Sequence, residues 1–153
     1  MKIPDGVLDE CARTVYRIAL VKTKNEDLAQ DIVQSVFVTL FEKKPQFPDF
    51  KALRVWMIRC AVKLIANHFR KSQNRDILPL EQSSDIAVTD PLEFELCDML
   101  STLPEIFREV TVLYYIDDMS VKEIASALKV SQGTVKSRLA RARRRLEELY
   151  KNI

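Results

Sequence analysis

A short run near the C-terminus carries side chains that could bind a polyanion through hydrogen bonds and charge. The donors in it are Thr134, Lys136, Ser137, Arg138, Arg141 and Arg144. Hydroxyl, ammonium and guanidinium groups donate to DNA phosphates and to base edges in the major groove. Seven basic residues and no acidic residue lie between Glu123 and Glu147, so this run indicates a nucleic-acid partner.

A second acid-free run lies in the N-terminal half, between Asp49 and Asp76, and it contains seven basic residues. Arg59, Lys63 and Arg70 fall on one face of the predicted helix, since residues spaced by four and seven positions share a side. A single charged run is usually a solvated helix face. Two such runs that flank an acidic stretch at 72–93 favour binding to a polyanion instead.

The glycine and histidine contents exclude several kinds of site. The chain has 153 residues but only two glycines and one histidine, His68. Phosphate-binding loops, dinucleotide-binding turns and hairpin-rich barrels need more glycine. A single histidine excludes most catalytic triads and zinc enzymes. The sequence therefore predicts no catalytic residue, no metal ligand and no cofactor.

Cysteine use and hydropathy indicate the compartment. Cys11, Cys60 and Cys97 are odd in number and far apart, which favours buried free thiols in a reducing environment. No run of about 18 apolar residues could cross a membrane. The first ten residues lack the apolar stretch of a signal peptide. We therefore expect a cytoplasmic protein without membrane insertion.

Apolar residues at helical spacing predict an all-α fold, which begins with a bundle of three to four helices over residues 1–71. The predicted core positions are Leu8, Cys11, Ala12, Val15, Ile18 and Ala19, then Leu28, Ile32, Val33, Val36, Phe37, Leu40 and Phe41, then Leu53, Met57, Cys60, Ala61, Leu64 and His68. Pro45 ends the second helix, because proline disfavours a helical conformation in the residue before it. The polar side of that helix carries Asp27, Gln30, Asp31 and Gln34, and needs a partner.

Residues 72–91 lose helical periodicity and contain Pro79, Pro91 and several acidic side chains. Twenty such residues are unusual inside a compact domain, so they predict a flexible acidic linker. The expected architecture is therefore two small helical domains, 1–71 and 92–153.

The second domain is predicted to contain four helices, the last two of which form a helix-turn-helix. The predicted core positions are Phe94, Cys97, Leu100, Leu103, Ile106, Phe107, Val110, Leu113, Tyr114, Ile124, Ala125, Leu128, Val135, Leu139, Ala142, Leu146 and Leu149. Pro104 suits a first helical position. Ser120 and Glu123 have the spacing of a capping box, and Ser131 can cap the last helix. Lys129 stands in the turn where glycine is common.

Three stretches resemble the small, extracytoplasmic-function type of bacterial RNA polymerase sigma factor. Residues 103–149, and above all GTVKSRLARAR at 133–143, resemble region 4. Residues 25–43 resemble region 2.2, and residues 47–71 resemble regions 2.3 and 2.4. The resemblance covers nearly the whole chain. It implies a non-enzymatic subunit that directs core polymerase to promoters and initiates transcription.

The resemblance also implies roles for single residues. The −35 element would be read by Thr134, Lys136, Ser137, Arg138, Arg141 and Arg144. The −10 element would be melted and read by Phe47, Asp49, Phe50, Lys51, Trp56, Arg59, Lys63, Asn67 and Arg70. Asp27, Gln30, Asp31 and Gln34 would dock on the clamp helices of the polymerase β′ subunit. The β flap and an anti-sigma factor are further implied partners.

Two other function classes stay open on the residues alone. A conventional helix-turn-helix repressor or activator would need a sensor pocket or a dimer interface within residues 1–90. An enzyme acting on nucleic acid would need clustered carboxylates at metal-binding spacing, and none is apparent.

Overall fold

The computed structural model describes residues 3–4, 6–73 and 100–151, and it confirms the all-α prediction. Its helices are α1 (Val7–Thr23), α2 (Glu26–Lys43), α3 (Phe50–Gln73), α4 (Glu105–Thr111), α5 (Val121–Leu128) and α6 (Gln132–Tyr150). α4 runs directly into a π-helical turn, Val112–Ile116, which the sequence analysis did not predict. Residues 74–91 of the predicted linker, and the predicted core residues Phe94 and Cys97, lie outside the described residues.

Helices α1, α2 and α3 form the predicted bundle, which we call the N-terminal bundle. Its buried core consists of Cys11, Val15, Ala19, Ala29, Ile32, Val36, Leu40, Leu53, Met57, Ala61 and Ile65. Asn25 caps α2, because its side chain accepts a hydrogen bond from the backbone N–H of Leu28 at 3.0 Å. At the other end of α2, Lys44 adopts a left-handed conformation (φ 44°) just before Pro45, which ends the helix as predicted.

Residues 100–151 form the C-terminal unit, and its helix-turn-helix is confirmed. Both hydrogen bonds of the Ser120–Glu123 capping box are present at the start of α5. Lys129 is left-handed (φ 57°), as a glycine-type turn position requires. Ser131 caps α6 by accepting from the backbone N–H of Thr134 at 3.0 Å. Pro104, expected at the first helical position, is instead the N-cap of α4.

The N-terminal bundle and the C-terminal unit pack against each other along an apolar seam. Ile18 of α1 and Ile58 of α3 are fully buried, and Val55 and Val62 of α3 are partly buried beside them. On the other side the seam is lined by Val110, Leu113, Met119, Ile124 and Ala127. The sequence analysis placed Ile18 in the core of the first domain and did not list Ile58.

Polar contacts between the two halves lie beside this apolar seam. The Asp117 carboxylate pairs with Arg17 and accepts a hydrogen bond from the Thr14 hydroxyl at 2.9 Å. Arg54 donates to the Asp117 carbonyl at 3.0 Å and to the Glu123 carboxylate at 2.9 Å. Burial raises the pKa of Asp117, although Arg17 and Thr14 act against it.

Four predicted core positions are wrong. Phe41, Ile106 and Leu149 are 61%, 45% and 48% exposed, and His68 is exposed as well. On α3 and α6 the reason is that the helix extends beyond the elements that pack against it. The last buried side chains there are Ile65 and Ala142. On α6, Leu146 still packs partly buried against the cluster of Leu103 and Phe107, and Leu149 lies beyond that contact. On α4, Phe107 takes the inward position beside Ile106.

Burial and pairing set the protonation of Glu123, which generates a prediction for stability. Burial would raise its pKa, but hydrogen bonds from Arg54 and Ser120 and the Arg54 charge outweigh it, so the pKa lies below the ordinary 4.5. Glu123→Gln keeps the capping box and loses the ion pair. We expect the variant to be about 1 kcal/mol less stable at pH 7.

The sign of the pH dependence follows from the lowered pKa. The stabilisation from Glu123 is complete above pH 4.5 and is lost as the pH falls through the carboxyl pKa of the folded protein. Urea unfolding of wild type and Glu123→Gln should therefore converge as the pH is lowered. Asp117 is present in both proteins, so its contribution cancels in the stability difference. A stability difference that stays constant down to pH 3 would contradict the ion pair.

Candidate nucleic-acid interface

The exposed side of α6 is the more accessible of two candidate DNA surfaces. Val135, Leu139 and Ala142 anchor the helix in the core. The opposite side carries Thr134, Ser137, Arg141 and Arg144, of which the last three are exposed. At 100° per residue these four fall within one face of the helix. The capped turn before α6 holds this face outward from the C-terminal unit.

Two other predicted residues of α6 stand apart from this face. Arg138 is largely covered and lies 3.8 Å from the buried carboxylate of Glu109, so part of its charge is used inside the protein. Lys22 of α1 contacts the same carboxylate at 2.8 Å. Lys136 is exposed on another flank of the helix, about 160° around the axis from Thr134 and about 100° from Ser137.

The loop before α3 and the start of α3 form the second candidate surface. Phe47 is partly buried and meets Trp56 edge to face, with ring centroids 5.8 Å apart. Asp49 accepts a hydrogen bond from the backbone N–H of Ala52 at 2.8 Å and so caps α3. Phe50 is 37% exposed and Lys51 is exposed, which leaves one aromatic ring and one cation free to meet a ligand.

Further along α3 the basic face is partly occupied by the protein itself. Lys63 and Arg70 are exposed and Asn67 is half-buried. Arg59 is exposed as well, but its guanidinium donates from Nε to the Ser126 carbonyl at 2.7 Å and from Nη2 to the Ser126 hydroxyl at 2.8 Å. Arg59, one of the nine residues predicted for this surface, is therefore hydrogen-bonded to α5.

The polar side of α2 is exposed as predicted. Asp27, Gln30, Asp31 and Gln34 are all accessible to solvent. Two apolar side chains, Val38 and Phe41, extend this face and are 53% and 61% exposed. They were missed as surface residues, although they follow Asp31 and Gln34 at the spacing of one helix side.

The structure brings the predicted residues together on three separate surfaces rather than in one site. α3 packs on α5, and α5 packs on α6, so α5 lies between the two basic helices. Sequence reasoning missed the contacts of Arg54 and Ser126 because they depend on how the two halves pack, which no local pattern records.

The described residues show neither a metal site nor a membrane helix. Residues 3–4, 6–73 and 100–151 contain no group of three His, Cys, Asp or Glu side chains that could hold a metal ion. None of the helices in this part of the chain is both long and apolar enough to cross a membrane. Burial raises the thiol pKa of buried Cys11 and half-buried Cys60, which makes both poor nucleophiles.

Comparison with known proteins identifies both halves of the chain. Residues 7–75 match the family model of sigma-70 region 2, and residues 94–146 match that of sigma-70, region 4. Among curated proteins, an ECF RNA polymerase sigma factor, SigM of Bacillus subtilis, is 28% identical over 95% of this chain and 94% of its own length. The RNA polymerase sigma-E factor of Streptomyces avermitilis is 33% identical over 78% of this chain and 69% of its own length.

Two solved structures share the fold. A sigma factor RpoE from Bartonella quintana, in complex with the anti-sigma factor NepR, aligns with a TM-score of 0.66 at 22% identity and covers 92% of both chains. CnrH, in complex with the cytosolic domain of CnrY, aligns with a TM-score of 0.61 at 23% identity over 95% of this chain. The chain belongs to the sigma-70 family of RNA polymerase sigma factors, within its extracytoplasmic-function (ECF) group.

Proposed function

We propose that this sigma factor carries its three tasks on the three surfaces described above. α6 reads the −35 element, α3 with its preceding loop opens and reads the −10 element, and α2 docks on core polymerase. The observation that carries the proposal is the helix-turn-helix, whose second helix presents an exposed face of donors that no other described element covers. The chain is accordingly proposed to be a polymerase subunit in the cytoplasm and not an enzyme.

The −35 role rests on the geometry of α6. Arginine binds guanine edges with two parallel hydrogen bonds, whereas hydroxyls accept or donate at several bases. Ser137 and Arg141 lie one turn apart at the centre of the exposed face, where a helix in the major groove meets base edges. Arg144 lies one turn further on and is placed to contact phosphate. Lys136 and Arg138, on the flanks, would attract the DNA backbone by their charge and would not contact base edges.

The −10 role rests on the aromatic and cationic side chains around the start of α3. Opening a duplex costs a few kcal/mol per unstacked base, which a stacking surface must compensate. Phe50 is exposed for stacking, while the contact between Phe47 and Trp56 stiffens the loop behind it. Lys51, Lys63 and Arg70 would hold the backbone of the separated strand.

The docking role rests on the exposed face of α2. Carboxylate and amide groups suit a basic partner surface and steer the encounter. Val38 and Phe41 add an apolar end to this face, and exposed aromatic side chains are frequent anchors of protein interfaces. We propose that these two residues bury themselves against the polymerase clamp together with Asp31.

The two halves gain affinity by acting together on polymerase. Two weak DNA contacts in one chain reinforce each other through a high effective concentration. We propose domain limits at 1–71 and 92–153, joined by the acidic segment 72–91, with the C-terminal unit on the β flap. Because the RpoE structure that shares this fold contains the anti-sigma factor NepR, we also propose an anti-sigma partner for this chain.

Reconstitution tests the proposed function directly. Purified bacterial core polymerase is captured by the tagged protein, and the complex is used for run-off transcription on a pool of promoter fragments. Capture followed by selective transcripts supports the proposal, and the transcripts give both promoter elements. Failure to bind polymerase, with sequence-specific DNA binding by the protein alone, would indicate an ordinary helix-turn-helix regulator instead.

Docking through α2 predicts a strong effect of charge reversal. Asp31→Arg places a cation against a basic partner surface, so the dissociation constant for core polymerase should rise at least about tenfold, or about 1.4 kcal/mol. Asp9→Arg is the matched control, since Asp9 is an exposed acid on α1 of the same bundle. Binding is measured by fluorescence titration. Equal affinities of Asp31→Arg and wild type would refute docking through this face.

Reading of the −35 element by α6 predicts a loss that depends on sequence. Arg141→Ala in the reconstituted holoenzyme should weaken promoter binding by roughly 1–3 kcal/mol and relax the preference at one base pair. Arg143→Ala, which removes an exposed arginine from another side of α6, should weaken all sequences alike and only slightly. Competition binding against single-base variants of the −35 element distinguishes these results. A uniform loss for Arg141→Ala would assign that residue to phosphate contact.

A further inference from the structure

The chain contains two glycines, and the backbone explains only one of them. Gly6 precedes α1 with a φ of 92°, in the left-handed region that other residues rarely adopt. Gly133 lies in the first turn of α6 and has no positive φ. The conformation of the backbone therefore does not require a glycine at position 133.

The space around Gly133 does not require a glycine either. A Cβ atom at this position would meet only the Ser131 hydroxyl oxygen, at 3.9 Å, which is an ordinary van der Waals contact. Glycine is also less favourable than alanine inside a helix, because it loses more backbone freedom on folding. Within the described part of the chain, nothing favours glycine over alanine at this position.

Gly133 lies near the centre of the outward face of α6. The buried side of the helix is marked by Val135, Leu139 and Ala142. At 100° per residue, Gly133 falls about 150° from the middle of that side. Ser137 lies one turn further on, shares the outward face and is exposed as well. The side of the helix that projects furthest from the core thus begins with a position that has no side chain.

A missing side chain at the centre of a face lets the backbone come close to a partner. Side chains add about 3 Å to the radius of a helix outside its Cα atoms, and Gly133 adds none. Ser137 is one of the residues proposed to meet base edges, and its hydroxyl group is one carbon away from the backbone. A hydrogen bond from this hydroxyl needs an oxygen–acceptor distance of about 2.5–3.0 Å. It can therefore form only if the start of α6 lies deep in the major groove.

We propose that Gly133 is a specificity-determining position of the −35 interface, because its missing side chain lets α6 enter the groove far enough for Ser137 to reach a base. The proposal rests on the proposed assignment of α6 to the −35 element. A side chain at position 133 would hold this end of the helix away from the bases. The long side chain of Arg141 can follow such a shift, whereas the short side chain of Ser137 cannot.

A series of side chains at position 133 tests this role in the reconstituted holoenzyme. Gly133→Ala adds one carbon, and Gly133→Met adds a longer unbranched side chain. Gln132→Met is the matched control, since Gln132 is an exposed neighbour about 100° around the axis, nearer the buried side of α6. Each holoenzyme is titrated with a fluorescent promoter fragment obtained from the run-off transcripts, and with single-base variants of its −35 element.

The dissociation constant should rise from glycine to alanine to methionine, by about tenfold for Gly133→Met. Gln132→Met should bind like the wild type. Ser137→Ala identifies the base pair that Ser137 contacts, and Gly133→Met should relax the preference at this same base pair. Adding Ser137→Ala to Gly133→Met should have little further effect, because the contact is already lost.

Urea unfolding of the free protein separates this role from a structural one. Gly133→Ala should unfold at a higher urea concentration than the wild type, since alanine favours the helix. Stability and promoter affinity should therefore change in opposite directions. A lower stability of Gly133→Ala would overturn the proposal, because the fold itself would then need the glycine.

The binding data can overturn the role of Gly133 in two further ways. Wild-type affinity of both Gly133 variants would do so, and so would a loss that is equal for every variant of the −35 element. Arg141→Ala keeps this outcome distinct from a failure of the proposed function. A change of base preference in Arg141→Ala, with none in the Gly133 variants, would refute only the role of Gly133. Unchanged promoter binding in Arg141→Ala and in all the other variants would refute the assignment of α6 to the −35 element.

Discussion

The structure depends on an apolar seam that neither half of the chain can cover alone. Ile18 and Ile58 are fully buried, yet both belong to the cluster that contains Leu113 and Ile124 of the C-terminal unit. α5 has 8 residues, and isolated helices shorter than about 12 residues are marginal in water. The packing of α5 between α3 and α6 therefore stabilises the helix-turn-helix as well as the contact between the halves.

The π-helical turn positions the polar groups that the C-terminal unit contributes beside the seam. It widens the helix just before Asp117, whose backbone N–H donates to the Val112 carbonyl at 3.1 Å. The chain then turns sharply, with Asp118 left-handed, so that the Asp117 carbonyl meets Arg54 and its carboxylate meets Arg17. A buried carboxylate without these partners would be costly, and burial still raises its pKa. The network thus favours one arrangement of the two halves over sliding alternatives.

Local signals in the sequence were sufficient for most of the fold. The helix caps Ser120 and Ser131 were predicted from residues within four positions of each. The cap Asn25 was not predicted, but it too acts on a residue three positions along the chain. The spacing of the two helices around it also placed Lys129 in the turn, and the structure shows that this residue is left-handed. The three candidate surfaces also lay on the predicted helices, because exposed polar faces have the same 3.6-residue period as buried apolar faces.

The packing between the halves could not be predicted, because it joins positions about 60 to 100 residues apart. Val55, Ile58 and Val62 repeat at helical spacing as a second apolar face of α3, but this pattern does not tell which element covers that face. Phe41 shows the opposite error, since an aromatic residue at helical spacing is normally part of a core. Ile58 packs on the C-terminal unit, whereas Phe41 is exposed, and hydrophobicity alone distinguishes neither from a core residue of the bundle.

The position of α2 keeps the proposed docking face clear of the seam between the two halves. α2 packs on α1 and α3, and its face with Asp31 and Phe41 points to solvent. The seam uses other sides of α1 and α3, so the packed chain leaves the proposed docking face free.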